Sequence, residues 1–164
     1  IYVSRDGGRN FYQKQPKEAF PVCDFGYIDT ANKTEVRGEG GKTGIFYLAL
    51  GDAGLYKLCY DTKTEEIHVK RLTDTGDACY RMGLGVIGED RDYLTEEKAI
   101  YFCGRLEGEY GFYRTFDEGK SYERLNQDKQ MYGEINSIDG DKRKFGRFFL
   151  ATGSRGVLYG EMKR

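Results

Sequence analysis

The sequence predicts an all-β fold that forms part of a β-propeller, and three observations carry this prediction. An apolar residue followed by tyrosine opens a short strand pattern at Ile1, Leu55 and Phe112, which gives steps of 54 and 57 residues. A period of about 50 residues with several short strands in each unit is typical of propeller blades. No stretch of the sequence shows a convincing helical spacing of apolar residues.

Each repeating unit divides into the four strands of an antiparallel sheet. A fairly apolar strand heads each unit, at residues 22–28, 82–87 and 135–138. Glycines such as Gly83 suit an inner strand that is crowded near a propeller axis. The second and third strands flank a glycine-containing loop. The outermost strand is polar, and residues 66–72 alternate apolar and charged side chains, as in a strand with one face in water.

Counting strands divides the chain into four parts and gives about three blades. We expect half a blade over residues 1–14, whole blades over 22–72 and 81–125, and an incomplete closing blade over 134–161. The predicted strands therefore begin and end within a blade. Because unpaired strand edges promote association, we expect a C-terminal fragment of a larger propeller protein rather than a self-sufficient domain.

Composition argues against several classes of function. A formal net charge of -1 gives no electrostatic case for binding nucleic acid or an anionic membrane. No apolar stretch is long enough to span a bilayer. The cysteines are scattered and His68 is the single histidine, so we expect neither a metal site nor a cofactor. We expect His68, in a charged outer strand, to be exposed.

Four cysteines allow three disulfide pairings, and the sequence does not choose among them. The four are Cys23, Cys59, Cys79 and Cys103. Cys23 and Cys79 both lie at or just before an inner strand of successive units, so these two could approach each other. Buried free thiols are the alternative.

Two turns share the pattern Ser/Thr-x-Asp-x-Gly-x-x-aromatic, known as the Asp-box or BNR repeat. The first copy contains Ser4, Asp6, Gly8 and Phe11, and the second contains Thr115, Asp117, Gly119 and Tyr122. We expect the carboxylate to accept backbone N–H groups in a hairpin turn, the glycine to supply a positive φ, and the aromatic ring to pack beneath. Both aspartates are therefore interpreted as structural, in turns that join the two outer strands.

The last Asp-box belongs to a longer pattern. In four places the sequence resembles the C-terminal end of glycoside hydrolase family 74. These are the strands and turns of residues 112–126, the Tyr132-Gly133 pair, Gly140-Asp141 and residues 146–160. The resemblance covers essentially the whole chain and is most specific over its last fifty residues.

Four residues depart from the wording of that family. Tyr122 stands where the Asp-box of the family has tryptophan, and Lys142 stands where the family has proline. Gln130-Met131 stands where the family has a His-Gln pair before Tyr132, so a sugar contact of that pair is not carried over from the family.

The resemblance implies a secreted, xyloglucan-degrading endo-β-1,4-glucanase or a related enzyme that acts at reducing ends. It implies two seven-bladed propellers with a substrate cleft between them. It also implies an inverting mechanism that uses two carboxyl groups. The catalytic aspartates of the family lie upstream of the matched region, so no catalytic residue carries over and this segment alone is expected to be inactive. The implied partners are xyloglucan or a related β-1,4-glucan and the remainder of the same propeller protein.

Three pairs of acidic residues are candidates for an acid–base pair within the chain itself. They are Glu107 with Glu109, Asp139 with Asp141, and Glu65 with Glu66. A working pair needs opposed carboxyl groups in different environments, one with a raised pKa. Each candidate lies in a short loop or turn, so solvated charge is the better interpretation.

Substrate binding is a better prospect for this chain than catalysis. In a propeller the ligand face carries the loops that enter each inner strand and those that join the second and third strands. Sugars are held by aromatic rings against their C–H faces and by amide and guanidinium hydrogen bonds. The candidates that suit this task are Tyr132, Gln130, Arg155, Tyr110 and Arg105. Packing or loop bracing is the alternative role for each.

Two other classes of protein share Asp-boxes. A non-catalytic propeller that acts as a protein- or glycan-binding module is the main alternative. A sialidase would need a cluster of arginines and a Tyr–Glu pair that the sequence does not place. The closing residues 154–161 favour the glucanase family over both classes.

Overall fold

A computed structural model describes residues 1–19, 29–38, 41–93 and 97–162, with side chains for all of these except 29–38 and 41–43. In these ranges every strand pairs antiparallel with a neighbour, and no helix is present. The strands are β1 (Tyr2–Val3), β2 (Tyr12–Gln13), β3 (Asp29–Gly38), β4 (Gly41–Ala49), β5 (Leu55–Asp61), β6 (Ile67–Arg71), β7 (Ala78–Val86), β8 (Lys98–Leu106), β9 (Glu109–Thr115), β10 (Glu123–Arg124), β11 (Ile135–Gly140), β12 (Phe148–Thr152) and β13 (Val157–Gly160).

The strands form four sheets, and within each sheet neighbours along the chain are hydrogen-bonded neighbours in space. β1 and β2 form a two-stranded sheet, β3 to β6 and β7 to β10 form four-stranded sheets, and β11 to β13 form a three-stranded sheet. The predicted all-β fold, a partial propeller, is confirmed. The inner strand predicted over residues 22–28 lies outside the described residues. The first described strand of that sheet is β3. The blade limits drawn from the sequence stay a prediction.

The sheets pack face to face, and β8 lies at the centre of this packing. Alternate side chains of a strand point to opposite faces. Ile100 and Phe102 therefore join the core shared with the β3–β6 sheet, while Tyr101 and Cys103 join the core shared with the β11–β13 sheet. All four are almost fully buried. Burying a side chain the size of Ile100 or Phe102 contributes about 1.5–3 kcal/mol, so the apolar run that predicted this strand also holds three sheets together.

Glycines allow the inner strands to approach each other closely. β7 packs against β3 on one side and β11 on the other. A Cβ added to Gly83 would lie 2.5 Å from the Cα of Asp139, and one added to Gly85 would lie 3.0 Å from the Cα of Gly140. Only glycine fits such a contact. The Asp139 carboxylate adds a polar link, since it accepts the Leu84 N–H at 2.9 Å.

The two Asp-box turns hold their aspartates in the same way. Asp6 Oδ1 accepts the backbone N–H groups of Arg9 and Asn10 at 3.0 and 2.9 Å. Asp117 Oδ1 accepts those of Lys120 and Ser121 at 3.0 and 2.9 Å. In each turn a hydroxyl two residues earlier, from Ser4 or Thr115, donates to the same oxygen. Gly8 and Gly119 have positive φ angles of 90° and 84°.

The aromatic residue that closes the pattern packs against a hydrophobic core in only one of these turns. The Tyr122 ring meets Phe102 edge to face, and its hydroxyl donates to the Leu72 carbonyl at 2.9 Å. Phe11 is 62% exposed. Its Cζ lies 3.9 Å from where a Cβ on Gly8 would stand, so the ring lies beside the turn, but it joins none of the hydrophobic cores formed by the described residues.

The second Asp-box turn also carries a charged link between sheets. Glu118 has a left-handed backbone conformation, with φ of 56°. Its carboxylate accepts a hydrogen bond from the Tyr47 hydroxyl at 3.0 Å and forms an ion pair with Lys57. Burial opposes ionisation, but the Lys57 and Tyr47 hydrogen bonds outweigh it and hold the pKa of Glu118 below its usual value. The turn at the end of β9 is thereby fastened to β4 and β5.

The described cysteines lie inside or beside the sheets. Cys79 and Cys103 are buried, and Cys59 is partly buried. Burial raises the pKa of the Cys103 thiol to about 11, so this thiol stays protonated at neutral pH. Cys23 lies outside the described residues. His68 is exposed, and its Nδ1 lies 3.0 Å from Glu18 Oε1.

Candidate functional site on the loop face

One end of the sheets gathers most of the residues that the sequence suggested for binding. This end, here named the loop face, carries the turns β4–β5 (residues 50–54), β8–β9 (107–108) and β12–β13 (153–156), together with the segment 126–134 that leads into β11. The Asp-box turn of Asp117 lies at the other end, because β9 starts at the loop face and ends at Thr115, the first residue of that turn.

A β-bulge interrupts each inner strand close to the loop face. The register shifts between Ala31 and Thr34 in β3, between Cys79 and Arg81 in β7, and between Ile135 and Ser137 in β11. Tyr80 and Asn136 are the extra residues in the last two. A bulge redirects a side chain out of the regular alternation. The Arg81 Nε group donates to the Asn136 carbonyl at 3.2 Å, which joins the two bulges.

A row of aromatic rings runs from the β7 bulge to the segment before β11. The ring centroids of Tyr80 and Tyr110 are 6.4 Å apart, those of Tyr110 and Phe112 are also 6.4 Å apart, and those of Phe112 and Tyr132 are 6.3 Å apart. Phe112 is buried, whereas the three tyrosines are only partly buried. Burial and the neighbouring Cys103 raise the pKa of Tyr110 to about 12, so its hydroxyl stays neutral.

Polar groups surround the Tyr80 end of this row. The Tyr80 hydroxyl donates to Asp52 Oδ1 at 3.1 Å, and Arg105 Nη2 lies 3.4 Å from the same oxygen. Arg105 and Tyr110 are direct cross-strand partners in the β8–β9 hairpin. Burial and the Asp52 hydrogen bond raise the pKa of Tyr80. The structure thus brings the predicted Arg105 and Tyr110 together with Asp52, which is not among the candidates from the sequence.

The Tyr132 end of the row is built by a braced loop. The buried Asn126 side chain accepts the Phe112 N–H at 2.8 Å and donates to the Gln127 carbonyl at 3.3 Å. Gln130 Oε1 accepts the Gln127 N–H at 2.9 Å, so the Gln130 amide oxygen serves the loop itself. Tyr132 has φ of 54° and is followed by Gly133 at 77°. Left-handed backbone at a residue other than glycine, asparagine or aspartate is uncommon and recurs at ligand sites.

A groove of about 430 Å³ opens beside Tyr132. It lies between the outer strands of the β7–β10 sheet and the β11–β13 sheet. Its apolar wall includes Leu125, Leu150 and Leu158, and its polar wall includes Arg114 and Glu123. Tyr132 and Gln130 both line it. Two of the predicted binding residues therefore share one concave surface.

Arg155 stands apart from these residues. It lies in the β12–β13 turn, and its backbone N–H donates to the Thr152 hydroxyl at 2.9 Å. Its side chain is exposed, and its guanidinium makes no hydrogen bond or ion pair with the residues that the structure describes. The structure places Arg155 on the loop face without joining it to the aromatic row.

The candidate acid–base pairs do not face each other across a cleft. Glu65 pairs with Lys14 and Arg5, and Glu66 pairs with Lys17. Three of the other four carboxylates are engaged in a similar way: Asp139 with Lys142, Asp141 with the N–H groups of Arg143 and Lys144, and Glu109 with Arg124. The fourth, Glu107, is exposed. Hydrogen bonds from lysines are the main cause that lowers the pKa values of Glu65 and Glu66. Burial would raise the pKa of Asp141, but backbone hydrogen bonds outweigh it and lower that pKa.

Comparisons with known proteins match nearly the whole chain to xyloglucanases. It is 30% identical to an oligoxyloglucan-reducing end-specific xyloglucanase from Emericella nidulans over 99% of its length, and 30% identical to xyloglucanase Xgh74A from Acetivibrio thermocellus over 98%. Among solved structures, the GH74 xyloglucanase from Xanthomonas campestris superposes on 80% of the chain with a TM-score of 0.58 and 26% identity. The resemblance to glycoside hydrolase family 74 is confirmed. No family model matches the chain.

The matched family 74 proteins are much longer than this chain. The chain spans 19% of the Emericella enzyme, 17% of the Acetivibrio enzyme and 17% of the Xanthomonas structure. A second family 74 structure, from Niastella koreensis, superposes on 70% of the chain with a TM-score of 0.54 and 25% identity. The similarity to family 74 therefore concerns one part of those enzymes.

Sequence reasoning missed three residues of the loop face, namely Asp52, Tyr80 and Asn126. Asn126 lies in the pattern that resembles family 74, but its role depends on a contact with Phe112 across the β9–β10 turn. Tyr80 carried a weak signal, since it directly follows a buried cysteine at the start of an inner strand. The described residues include no group of three or more His, Cys, Asp or Glu side chains that could hold a metal ion. No helix there could cross a membrane.

Proposed function

We propose that this chain is a propeller segment of a secreted, inverting endo-β-1,4-glucanase that degrades xyloglucan. In this proposal the segment is a scaffold and one wall of the substrate cleft, and the catalytic aspartates belong to other parts of the enzyme. The observation that carries the proposal is the 30% identity to xyloglucanases over 98–99% of the chain. Among the described candidates no two free carboxyl groups face each other as an acid and a base would, which supports placing the catalytic aspartates elsewhere in the enzyme.

In this proposal the aromatic row is the part of the cleft wall that contacts the sugar units. Tyrosine rings offer an apolar face to sugar C–H groups and a hydroxyl to sugar oxygens. Tyr132 and Tyr110 are held by ring contacts to the buried Phe112. Arg105, Gln130 and Arg155 supply donors around the loop face. Rigid aromatic residues lose little conformational entropy on binding, which suits recognition of a long neutral polymer.

The experiment is an assay of the full-length protein on xyloglucan, read as released reducing ends. We expect release by the unsubstituted protein, and a Tyr132→Ala variant with KM raised about fivefold, as the loss of ~1 kcal/mol of ring stacking requires. Tyr12→Ala is the matched control, because Tyr12 is an exposed tyrosine on β2.

Two outcomes would contradict the proposal in different ways. If the full-length protein binds xyloglucan oligosaccharides but releases no reducing ends, it is a non-catalytic glycan-binding propeller, the main alternative. If Tyr132→Ala and Tyr12→Ala have the same KM as the unsubstituted enzyme, the enzyme stands but Tyr132 serves packing only.

A further inference from the structure

Asp52 is a preorganised carboxylate on the loop face. The β4–β5 turn that carries it is fastened to β7 by a pair of backbone hydrogen bonds between Gly51 and Cys79, at 2.9 and 2.8 Å. The Leu50 N–H donates to the Gly54 carbonyl at 2.9 Å and closes the turn. Gly54 has φ of 94°, and a Cβ there would collide with the Thr73 hydroxyl. The turn is therefore rigid although the Asp52 side chain is 81% exposed.

The groups around Asp52 leave hydrogen-bonding capacity unused. Asp52 Oδ1 receives Tyr80 and Arg105, while Oδ2 has no partner among the residues that the structure describes. Arg105 uses only Nη2, and its side chain is 43% exposed. A carboxylate is an acceptor only and a guanidinium is a donor only. The cluster therefore presents a free acceptor and free donors side by side, next to the partly buried rings of Tyr80 and Tyr110.

We propose that Asp52, Tyr80, Arg105 and Tyr110 form a subsite for one neutral sugar unit, bound through adjacent hydroxyl groups. Each sugar hydroxyl both donates and accepts, so one hydroxyl donates to Asp52 Oδ2 while its neighbour accepts from Arg105. The two tyrosine rings contact the C–H face of the same unit. This subsite rests on the proposed glucanase function and extends the cleft wall beyond Tyr132.

Charge and geometry favour a neutral sugar over an ion. Asp52 and Arg105 carry opposite charges 3.4 Å apart, so the cluster has no net charge with which to attract a cation or an anion. A single carboxylate is too few oxygen ligands for a hard cation. The cluster also draws on two sheets, since Asp52 belongs to the β3–β6 sheet and the other three residues to the β7–β10 sheet. A site of this kind lies across the junction between sheets.

The test uses the full-length protein and an Asp52→Ala variant with xyloglucan oligosaccharides of increasing length. Removing a charge-assisted hydrogen bond is expected to raise KM about tenfold for oligosaccharides long enough to reach the subsite. KM for shorter oligosaccharides, kcat and the thermal unfolding midpoint should stay unchanged. Glu66→Ala is the matched control, because Glu66 is an exposed carboxylate paired with Lys17 at 2.7 Å.

Each result decides the question. A rise in KM confined to the long oligosaccharides supports the subsite. Equal KM values for Asp52→Ala and the unsubstituted protein overturn the subsite, while the glucanase function stands. A lowered unfolding midpoint together with a changed KM at every oligosaccharide length also overturns the subsite, because it indicates a structural role for Asp52. An unsubstituted protein that neither binds nor cleaves xyloglucan overturns the proposed function and this subsite with it.

Discussion

At the scale of single residues, the turn aspartates show what local sequence can predict. The Ser/Thr-x-Asp-x-Gly pattern fixes its own hydrogen bonds within seven residues, so the contacts of Asp6 and Asp117 with backbone N–H groups follow from the local sequence alone. The position of Phe11 does not follow, because it depends on what lies across from the turn. Asp52 was equally hard to interpret, since its partners Tyr80 and Arg105 are 28 and 53 residues away in the chain.

Asp117 gives a prediction about acid stability. Hydrogen bonds from the Ser121 hydroxyl and N–H lower the pKa of Asp117 from 3.8 to about 2. A lowered carboxyl pKa stabilises the fold above pH 4, and this contribution is lost as the pH falls toward 2. Asp117→Ala should cost about 1 kcal/mol at pH 7, because two turn N–H groups lose their acceptor.

The measurement is urea unfolding of both proteins at pH 7, 4 and 2.5. We expect the difference in unfolding free energy between the two to shrink toward pH 2.5. A difference that stays constant over this range would mean that the Asp117 charge does not contribute.

At the scale of strands and sheets, the alternation of apolar and polar side chains predicted the strands reliably, whereas nothing in the sequence indicated the β-bulges. β8 could be predicted because apolar side chains fill both of its faces, and the polar β6 could be predicted from its alternating pattern. The bulges at Tyr80 and Asn136 could not, because a one-residue slip in register leaves no compositional mark. Most of the candidate site depends on these bulges and on contacts between sheets.

The link from Glu118 to Lys57 predicts measurable coupling between two sheets. The side chains of Lys57 and Glu118 are 17% and 22% exposed, so water screens the pair only in part. A double-mutant cycle with Glu118→Ala and Lys57→Ala should give a coupling free energy of about 1 kcal/mol or more.

An exposed pair supplies the control for this cycle. Lys17 and Glu66 are 56% and 40% exposed, and surface pairs of this kind contribute about 0–1 kcal/mol. Equal coupling energies for the two pairs in urea unfolding would show that the Glu118 contact does not hold the sheets together.

At the scale of the whole molecule, the repeat and the family resemblance were the informative features. A period of about 50 residues predicted the sheets, and the wording of residues 112–161 predicted the similarity to xyloglucanases that the comparisons confirm. The loop face was harder to predict, because it brings together side chains from turns spread over more than eighty residues of the chain.

The arrangement of carboxylates predicts which acids are dispensable for catalysis. Glu107 lies in the β8–β9 turn and Glu109 directly follows it, paired with Arg124 at 2.9 Å. In the full-length protein, under the proposed glucanase function, Glu107→Gln and Glu109→Gln should each leave kcat on xyloglucan within about twofold, whereas loss of a general acid or base costs ~100-fold or more. A loss of that size in either variant would place a catalytic group in this chain.

The close approach of β7 and β11 has a consequence for the rest of the molecule. The two sheets meet where Gly83 and Gly85 face Asp139 and Gly140, and from there each sheet extends outward through strands about 4.8 Å apart. A side chain inserted at this contact would change the angle between the two sheets, and the displacement would grow with distance from the contact. Substitutions at these glycines are therefore expected to alter the width of the groove beside Tyr132, although none of them touches it.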